Sequence, residues 1–357
     1  MKILLIANYK LGVGGISGQV ELLHKYLNRE EGYAVDIYSL KGNPIKRIIL
    51  IFRLLFVSKK YDVLHIHACC EWGFLPAIVG VVVSKLWHKQ SVLTYHGGGA
   101  KAFFAQHTRL VKWTFSKIDT IIVLSGFLKQ IFDEYNIPAI IIPNIVEMND
   151  CLFKQRDRIR PNFISVRHLR ELYNVSCILR AFKIVQQQLP EATLTILGDG
   201  NQRVDLEKWT VENNLKNVTF VGAVPHKEMY HYLQQADVFV SAPKVDNMPM
   251  SVLEAFNAGL LVISSNVGGV PFLVADNSSI SKTNKLNPVG GVPFLVADNS
   301  TGYLFESDND KQLAEKMLLA VRKQKKSLEI IKKAKQESEK YRWSNIRNSV
   351  LKIYNSL

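Results

Sequence analysis

Cysteine is scarce in this chain. Four cysteines in 357 residues cannot staple a disulfide scaffold. They show no metal-type spacing either: Cys69 and Cys70 are adjacent, while Cys151 and Cys177 stand alone. They read as reduced, cytosolic core residues. Long apolar runs are also missing. The nearest, Phe74–Val83 and Ile48–Val57, fall short of the ~18 residues that a membrane-spanning helix needs, and Arg53 interrupts the second. The opening MKILLIANYK has an apolar run of only Ile3 to Ala7, with no small-residue cleavage site behind it. It predicts a buried first strand rather than a signal peptide. Acidic residues are in deficit: 31 Asp and Glu stand against 45 Lys and Arg, a formal net charge of +14. That balance favours anionic partners, namely nucleotides, nucleic acid or an anionic membrane surface. No RNA- or DNA-binding motif accompanies the charge, so nucleic acid is set aside.

What is present is an ordinary globular composition, 47% hydrophobic and 21% charged, at a length that suits two domains and allows three. Short β-branched runs at 2–8, 34–39, 62–66, 91–95, 119–124 and 139–142 predict one series of strands. Runs at 162–166, 193–198, 217–221, 237–241, 260–264 and 302–305 predict a second. Amphipathic stretches lie between them, including 18–30, 74–87, 174–188, 203–213, 227–235, 249–258 and 311–338. Continuous apolar strands alternating with helices mean parallel sheets covered on both faces, so the expected fold class is α/β with two doubly wound domains. The boundary falls in the polar segment 147–163, giving domains 1–150 and 151–340. In 341–357, Trp343, Ile346, Val350, Ile353 and Tyr354 share one helical face.

One internal repeat is present. VGGVPFLVADNS occurs identically at 267–278 and 289–300, a period of 22 residues. Two copies are too few for a solenoid. A local tandem duplication is the simplest account. Either Gly268 and Gly269 serve the fold and 279–300 loops out, or 267–288 loops out and Gly290 and Gly291 take over. The first copy is favoured, because it keeps a short connection to strand 260–265.

Several segments place polar or glycine residues just past strand ends, where ligands bind in doubly wound sheets. Gly12, Gly14 and Gly15 follow the first strand and precede a helix, so their backbone can approach an anion. A turn needing positive φ is the plainer reading of the same residues. His96 opens HGGG after strand 91–95. His65 and His67 share a strand face; metal binding by the pair is one reading, and packed strand-end histidines are the favoured one. LGDG at 197–200 and FVGAVPHKEM at 220–229 end two further strands. The richest block is 241–269. Asp246 sits in a loop, and Glu254 lies inside a helix that begins near Pro249. The start of that helix, around Met250 and Ser251, suits a phosphate. A carboxylate one or two turns inside can reach a ribose diol, and the loop carboxylate can reach sugar hydroxyls.

GVGGISG, TYHGGG, IPN at 142–144, LGDG, FVGAV and DNMPMSVLE followed by AFNAG and NVGG, in that order, resemble the family-4 glycosyltransferases of the GT-B fold along essentially the whole chain. The resemblance implies two Rossmann-like domains facing across a cleft, with an N-terminal acceptor domain and a C-terminal nucleotide-sugar domain. It also implies a last helix crossing back to the first domain. Glu254 matches the acid on the ribose hydroxyls. Asp246 matches the acid on the donor sugar, where Glu is usual. Gly14 and Gly15 match the loop approaching the diphosphate, and His96 the histidine near the transferred sugar. Met248, Pro249, Met250 and Ser251 match the segment whose amides meet phosphate and sugar. Gly222 to Val224 match the backbone beside the base. Gly198, Gly268 and Gly269 complete the expected donor site. The family's Arg and Lys, five apart, fall on His168 and Tyr173 here, so Arg167 and Arg170 are the candidate replacements.

The resemblance further implies retention of anomeric configuration without a protein nucleophile. Positioning and stabilisation of the departing diphosphate would then supply catalysis. A metal-independent reaction with no cofactor is expected, the nucleotide-diphosphate sugar being the donor substrate. The acceptor is expected to be a saccharide or a lipid-linked one, in bacterial cell-surface polysaccharide assembly. The expected location is cytoplasmic, with peripheral attachment to the inner face of the plasma membrane through the basic, apolar stretch 45–60. An ordinary packed helix is the other reading of that stretch. A catalytically degraded nucleotide-sugar binder is the alternative for the whole protein.

Overall fold

A computed structural model describes residues 1–12, 15–147, 153–272 and 301–357. Gly14, Cys151 and the second repeat copy, with Gly290 and Gly291, lie outside the described residues. The chain divides into two compact units, Met1–Glu147 with Tyr341–Leu357, and Met148–Lys340.

In the first unit, strands β1 (Lys2–Ala7), β2 (Ala34–Ser39), β3 (Val63–Ala68), β4 (Gln90–Tyr95), β5 (Thr120–Val123) and β6 (Ile140–Ile141) form a parallel sheet. Its order is β2-β1-β3-β4-β5-β6. β3 is buried along its whole length and β1 along all but its first residue, as parallel strands covered on both faces must be. Helices α1 (Ile16–Leu27), α2 (Pro44–Val57), α3 (Leu75–Leu86), α4 (Ala100–Gln106), α5 (Thr108–Phe115) and α6 (Gly126–Glu134) join them. Periodicity does not predict α4 to α6, which have 7, 8 and 9 residues. So few turns print little of a 3.6-residue pattern.

The second unit repeats the scheme. Strands β7 (Asn162–Val166), β8 (Thr193–Leu197), β9 (Val218–Gly222), β10 (Val238–Ser241), β11 (Leu261–Ser265) and β12 (Tyr303–Phe305) are parallel, in the order β12-β11-β10-β7-β8-β9. The order is that of a doubly wound sheet, with its reversal between β7 and β10. Helices α7 (Val175–Gln188), α8 (Arg203–Glu212), α9 (His226–Gln235), α10 (Met250–Asn257), α11 (Asp310–Arg322) and α12 (Gln324–Ser338) complete it. The single helix predicted over 311–338 is thus two. The break falls at Lys323 (φ −95°, ψ 57°), where the Gln324 side chain bonds both the amide and the carbonyl of Ile159. Entry to this unit is held by Arg156. Its buried guanidinium pairs with Asp237 at 2.8 Å and also donates to the carbonyls of Ala258 and Ala236.

The last helix, α13 (Trp343–Asn355), belongs to the first unit. Ile346, Val350 and Ile353 pack among Ile3, Leu5, Val20 and Leu23. Trp343 stacks on Tyr26 with centroids 5.2 Å apart. Glu30 accepts from Trp343 at 3.0 Å and from Arg347 Nε at 2.8 Å. No described helix is long and apolar enough to cross a membrane.

Candidate functional site

The predicted residues gather at the C-terminal edges of the two sheets, and each unit has its own cluster. In the second unit the cluster surrounds the reversal of strand order. Arg167 follows β7 and Asp246 follows β10, the two strands flanking that reversal. Arg167 Nη2 lies 2.9 Å from Asp246 Oδ2. Arg167 Nε donates to Ser241 Oγ at 3.2 Å, and the guanidinium sits 5.3 Å from the Tyr173 ring centroid. Tyr173 therefore serves as the surface on which Arg167 lies. Arg170 is exposed, and no described contact brings its side chain to Asp246. The two candidate replacements are not equivalent: Arg167 is in the cluster and Arg170 is not.

Glycines let the backbone close up here. A Cβ on Gly198 (φ +131°) would lie 1.9 Å from the Arg167 carbonyl oxygen, so only glycine lets the β8 turn reach the segment after β7. Gly269 is as tightly placed, since a Cβ there would lie 1.9 Å from the Asn247 carbonyl oxygen. Its amide donates to the Asp246 carbonyl at 3.1 Å. With Gly268 at φ +51° and Val270 fully buried, residues 268–270, at the start of the first repeat copy, are seated against the Asp246 loop. Gly222 ends β9 at φ +89°, and Val224 follows it half-exposed.

Helix α10 begins at Met250, with Pro249 just before it and no side-chain cap among the described residues. Met248, Pro249 and Ser251 are buried and Met250 half-buried. Glu254, 7% exposed, accepts from His226 Nε2 at 2.7 Å. His226 is the functional candidate that sequence reading missed. Its signal was present: it is the first residue of α9, hence a polar side chain just past the end of β9.

The first-unit cluster centres on three imidazoles. His96 follows β4, and its Nε2 lies 3.0 Å from Nδ1 of His67. His65 bonds Tyr354 Oη at 2.6 Å and Thr94 Oγ1 at 2.8 Å. The rings of His65 and His67 stack at 4.6 Å, and those of His67 and His96 at 5.3 Å. Burial holds His65 and His96 down to about 3, and His67 well below the usual imidazole range. All three are neutral near pH 7. They border a cavity of about 40 Å³ with Gln19, Asn144 and Val350, room enough for a water. Gly15 heads α1 at φ +68°, and no described atom lies within 4 Å of where its Cβ would be. Lys10 and Gly12 are held from α1, where Ser17 Oγ accepts from Lys10 N and Glu21 from Gly12 N.

The chain contains one Asp-x-Asp triplet, Asp308-Asn309-Asp310. Arg180 lies 2.8 Å from Asp308 and 3.6 Å from Asp310, and Asn309 caps α11. The triplet is therefore engaged in holding the start of α11. Among the described residues no group of three or more His, Cys, Asp or Glu side chains is placed to hold a metal ion.

Two such sheets, each with its cluster at the C-terminal edge, have the architecture of the GT-B fold. Residues 37–150 match the family model described as Glycosyltransferase Family 4, and residues 153–285 the one described as Glycosyl transferases group 1. The chain belongs to the family-4 glycosyltransferases. An uncharacterized glycosyltransferase of Methanocaldococcus jannaschii is 23% identical over 100% of this chain and 99% of its own length. The sulfoquinovosyl transferase SQD2 of Arabidopsis thaliana is 27% identical over 50% of this chain, but over only 30% of its own. Among solved structures, Anabaena HepE in complex with UDP-glucose superposes with a TM-score of 0.77 at 15% identity over all of both chains. A sucrose-phosphate synthase from Thermosynechococcus elongatus gives 0.76 at 19% identity, over 99% of this chain and 98% of its own.

Proposed function

We propose that this glycosyltransferase moves a hexosyl group, with retention, from a nucleotide-diphosphate sugar to a saccharide or lipid-linked acceptor. The setting would be cell-surface polysaccharide assembly at the inner face of the plasma membrane. The second unit takes the donor and the first the acceptor. The observation that carries the reading is Glu254, a nearly buried carboxylate held by His226 at 2.7 Å beside the start of α10. A carboxylate next to the anion-attracting end of a helix suits a ribose diol joined to a diphosphate. The UDP-glucose complex of HepE, a protein of the same fold, supports the donor class.

In this reading the α10 amides and Arg167 stabilise the departing diphosphate, which takes the acceptor proton. Asp246 orients the sugar and, with Ser241, holds Arg167. His96, neutral, lines the sugar side of the first unit and offers a hydrogen bond rather than a charge. No metal and no cofactor take part. The test is a panel of nucleotide sugars, assayed for transfer and for hydrolysis in EDTA. Turnover of one donor with retained configuration is expected. Activity lost to EDTA and restored by Mg²⁺ would refute metal independence. Tight binding of a donor without any turnover would make the chain a degraded binder.

A further inference from the structure

Helix α2 has two apolar faces. Leu54 is buried, and Leu50, Ile51, Leu55 and Val57 pack with it against the core of the first unit. Directly opposite, Ile45, Ile48, Ile49, Phe52 and Phe56 are 54% to 72% exposed. At 3.6 residues per turn these five fall within an arc of about 100° centred opposite Leu54. A surface helix normally carries one apolar stripe, and a helix apolar on every side is normally buried. Here the outer stripe meets solvent. Trp72, 76% exposed, has the Arg47 guanidinium 5.9 Å from its ring.

The charge around the stripe is of one sign. Lys46, Arg53, Lys59 and Lys60 are exposed, and residues 43–60 include no Asp or Glu. Lys59 lies 5.9 Å from the Phe56 ring and 4.1 Å from the Trp87 ring. With 14 residues, α2 is about 21 Å long, too short to span a hydrocarbon core of ~30 Å. Large apolar side chains bordered by cations, with no acid among them, complement an anionic headgroup layer over an acyl boundary.

We infer that α2 lies in the plane of an anionic bilayer surface, with Ile45, Ile48, Ile49, Phe52 and Phe56 inserted and Lys46, Arg53, Lys59 and Lys60 on the headgroups. The inference deepens the lipid-linked acceptor reading by naming the face that meets the membrane, and it rests on that reading for the inner leaflet. Co-sedimentation with vesicles tests it without using activity. The full chain is expected to bind vesicles of phosphatidylcholine mixed with phosphatidylglycerol, and to release in high salt. The Ile48→Ser/Phe52→Ser/Phe56→Ser variant should bind them about tenfold or more weakly, with unchanged circular dichroism. Lys46→Glu/Arg53→Glu should lose the preference for phosphatidylglycerol. Equal binding by all variants, or no binding by the parent chain, overturns the inference. So does a parent dimer that Phe52→Asp turns into a monomer, which would make the stripe an interface between copies. Donor hydrolysis measured on the same samples tests the transferase reading separately.

Discussion

Arg167 and Asp246 meet at the point where the strand order of the second sheet reverses, Nη2 to Oδ2 at 2.9 Å. The contact gives Arg167 a fixed place. Ser241 at 3.2 Å and the Tyr173 ring at 5.3 Å complete the seat. A guanidinium held from three sides loses little freedom when it meets an anion.

Arginine replacement is therefore expected to be asymmetric. On the proposed mechanism, Arg167→Ala lowers kcat about 10²-fold or more, the usual effect of deleting one donor to developing charge. Arg170→Ala leaves kcat within about twofold, because nothing described brings Arg170 to the cluster. Steady-state kinetics on both variants checks this. Two near-normal rates would remove both arginines from the mechanism, and equal losses would give Arg170 an equal share in it.

Glu254 and His226 should separate binding from chemistry. Glu254→Ala removes a side-chain acceptor for the ribose, so donor KM is expected to rise about tenfold to a hundredfold. His226→Ala keeps the carboxylate but frees it to move, and a smaller rise with unchanged kcat is expected. Donor saturation curves for the pair decide. A kcat collapse in His226→Ala would place that imidazole in the chemistry instead.

The sequence carried all twelve described strands, because parallel strands buried on both faces are short continuous apolar runs such as KILLIA and LLVIS. It placed Asp246 in the loop after a strand and Glu254 inside a helix, as they lie, because strand ends and helix starts leave local signatures. It did not show that Arg167 lies on Tyr173, that His226 reaches Glu254, or that Tyr354 reaches His65. Those partners are 6, 28 and 289 residues apart, and the longer two are joined only by packing. The break at Lys323 was hidden for a similar reason. It depends on Gln324 reaching Ile159, not on a proline or glycine in the helix itself.

The buried imidazoles should make the fold acid-sensitive. Burial holds His65 at about 3, against 6.5 for an exposed histidine. Between those values the unfolded chain binds the proton and the folded chain does not. Stability is therefore fully present above about pH 6.5 and falls as pH drops towards 3, by about 1.4 kcal/mol per pH unit for one such group. His65→Asn should be shallower by that amount between about pH 6 and 5, where carboxylates remain ionised. Urea midpoints across that range provide the measurement, and a slope equal to the parent's would show that His65 takes up a proton while folded.

The duplicated stretch offers a test whose logic lies in its own sequence. Removing 267–288 or 279–300 yields the same chain, because the two copies are identical. That shorter chain keeps one VGG turn and the native joint to β12, whose Ile263–Tyr303 and Ser265–Phe305 pairings fix the end of the connection. Shortening a connection by 22 residues lowers its closure cost by about 1 kcal/mol, so thermal stability should be equal or slightly higher. The deletion cannot say which copy is used, but single substitutions can. A methyl on Gly269 would collide with the Asn247 carbonyl oxygen at 1.9 Å, and that backbone belongs to the Asp246 loop. Gly269→Ala is therefore expected to lower both stability and activity, whereas Gly291→Ala, in the second copy, leaves both unchanged. The reverse pattern would mean that the second copy forms the turn. Two silent substitutions would mean that the copies exchange, each able to replace the other when one is damaged.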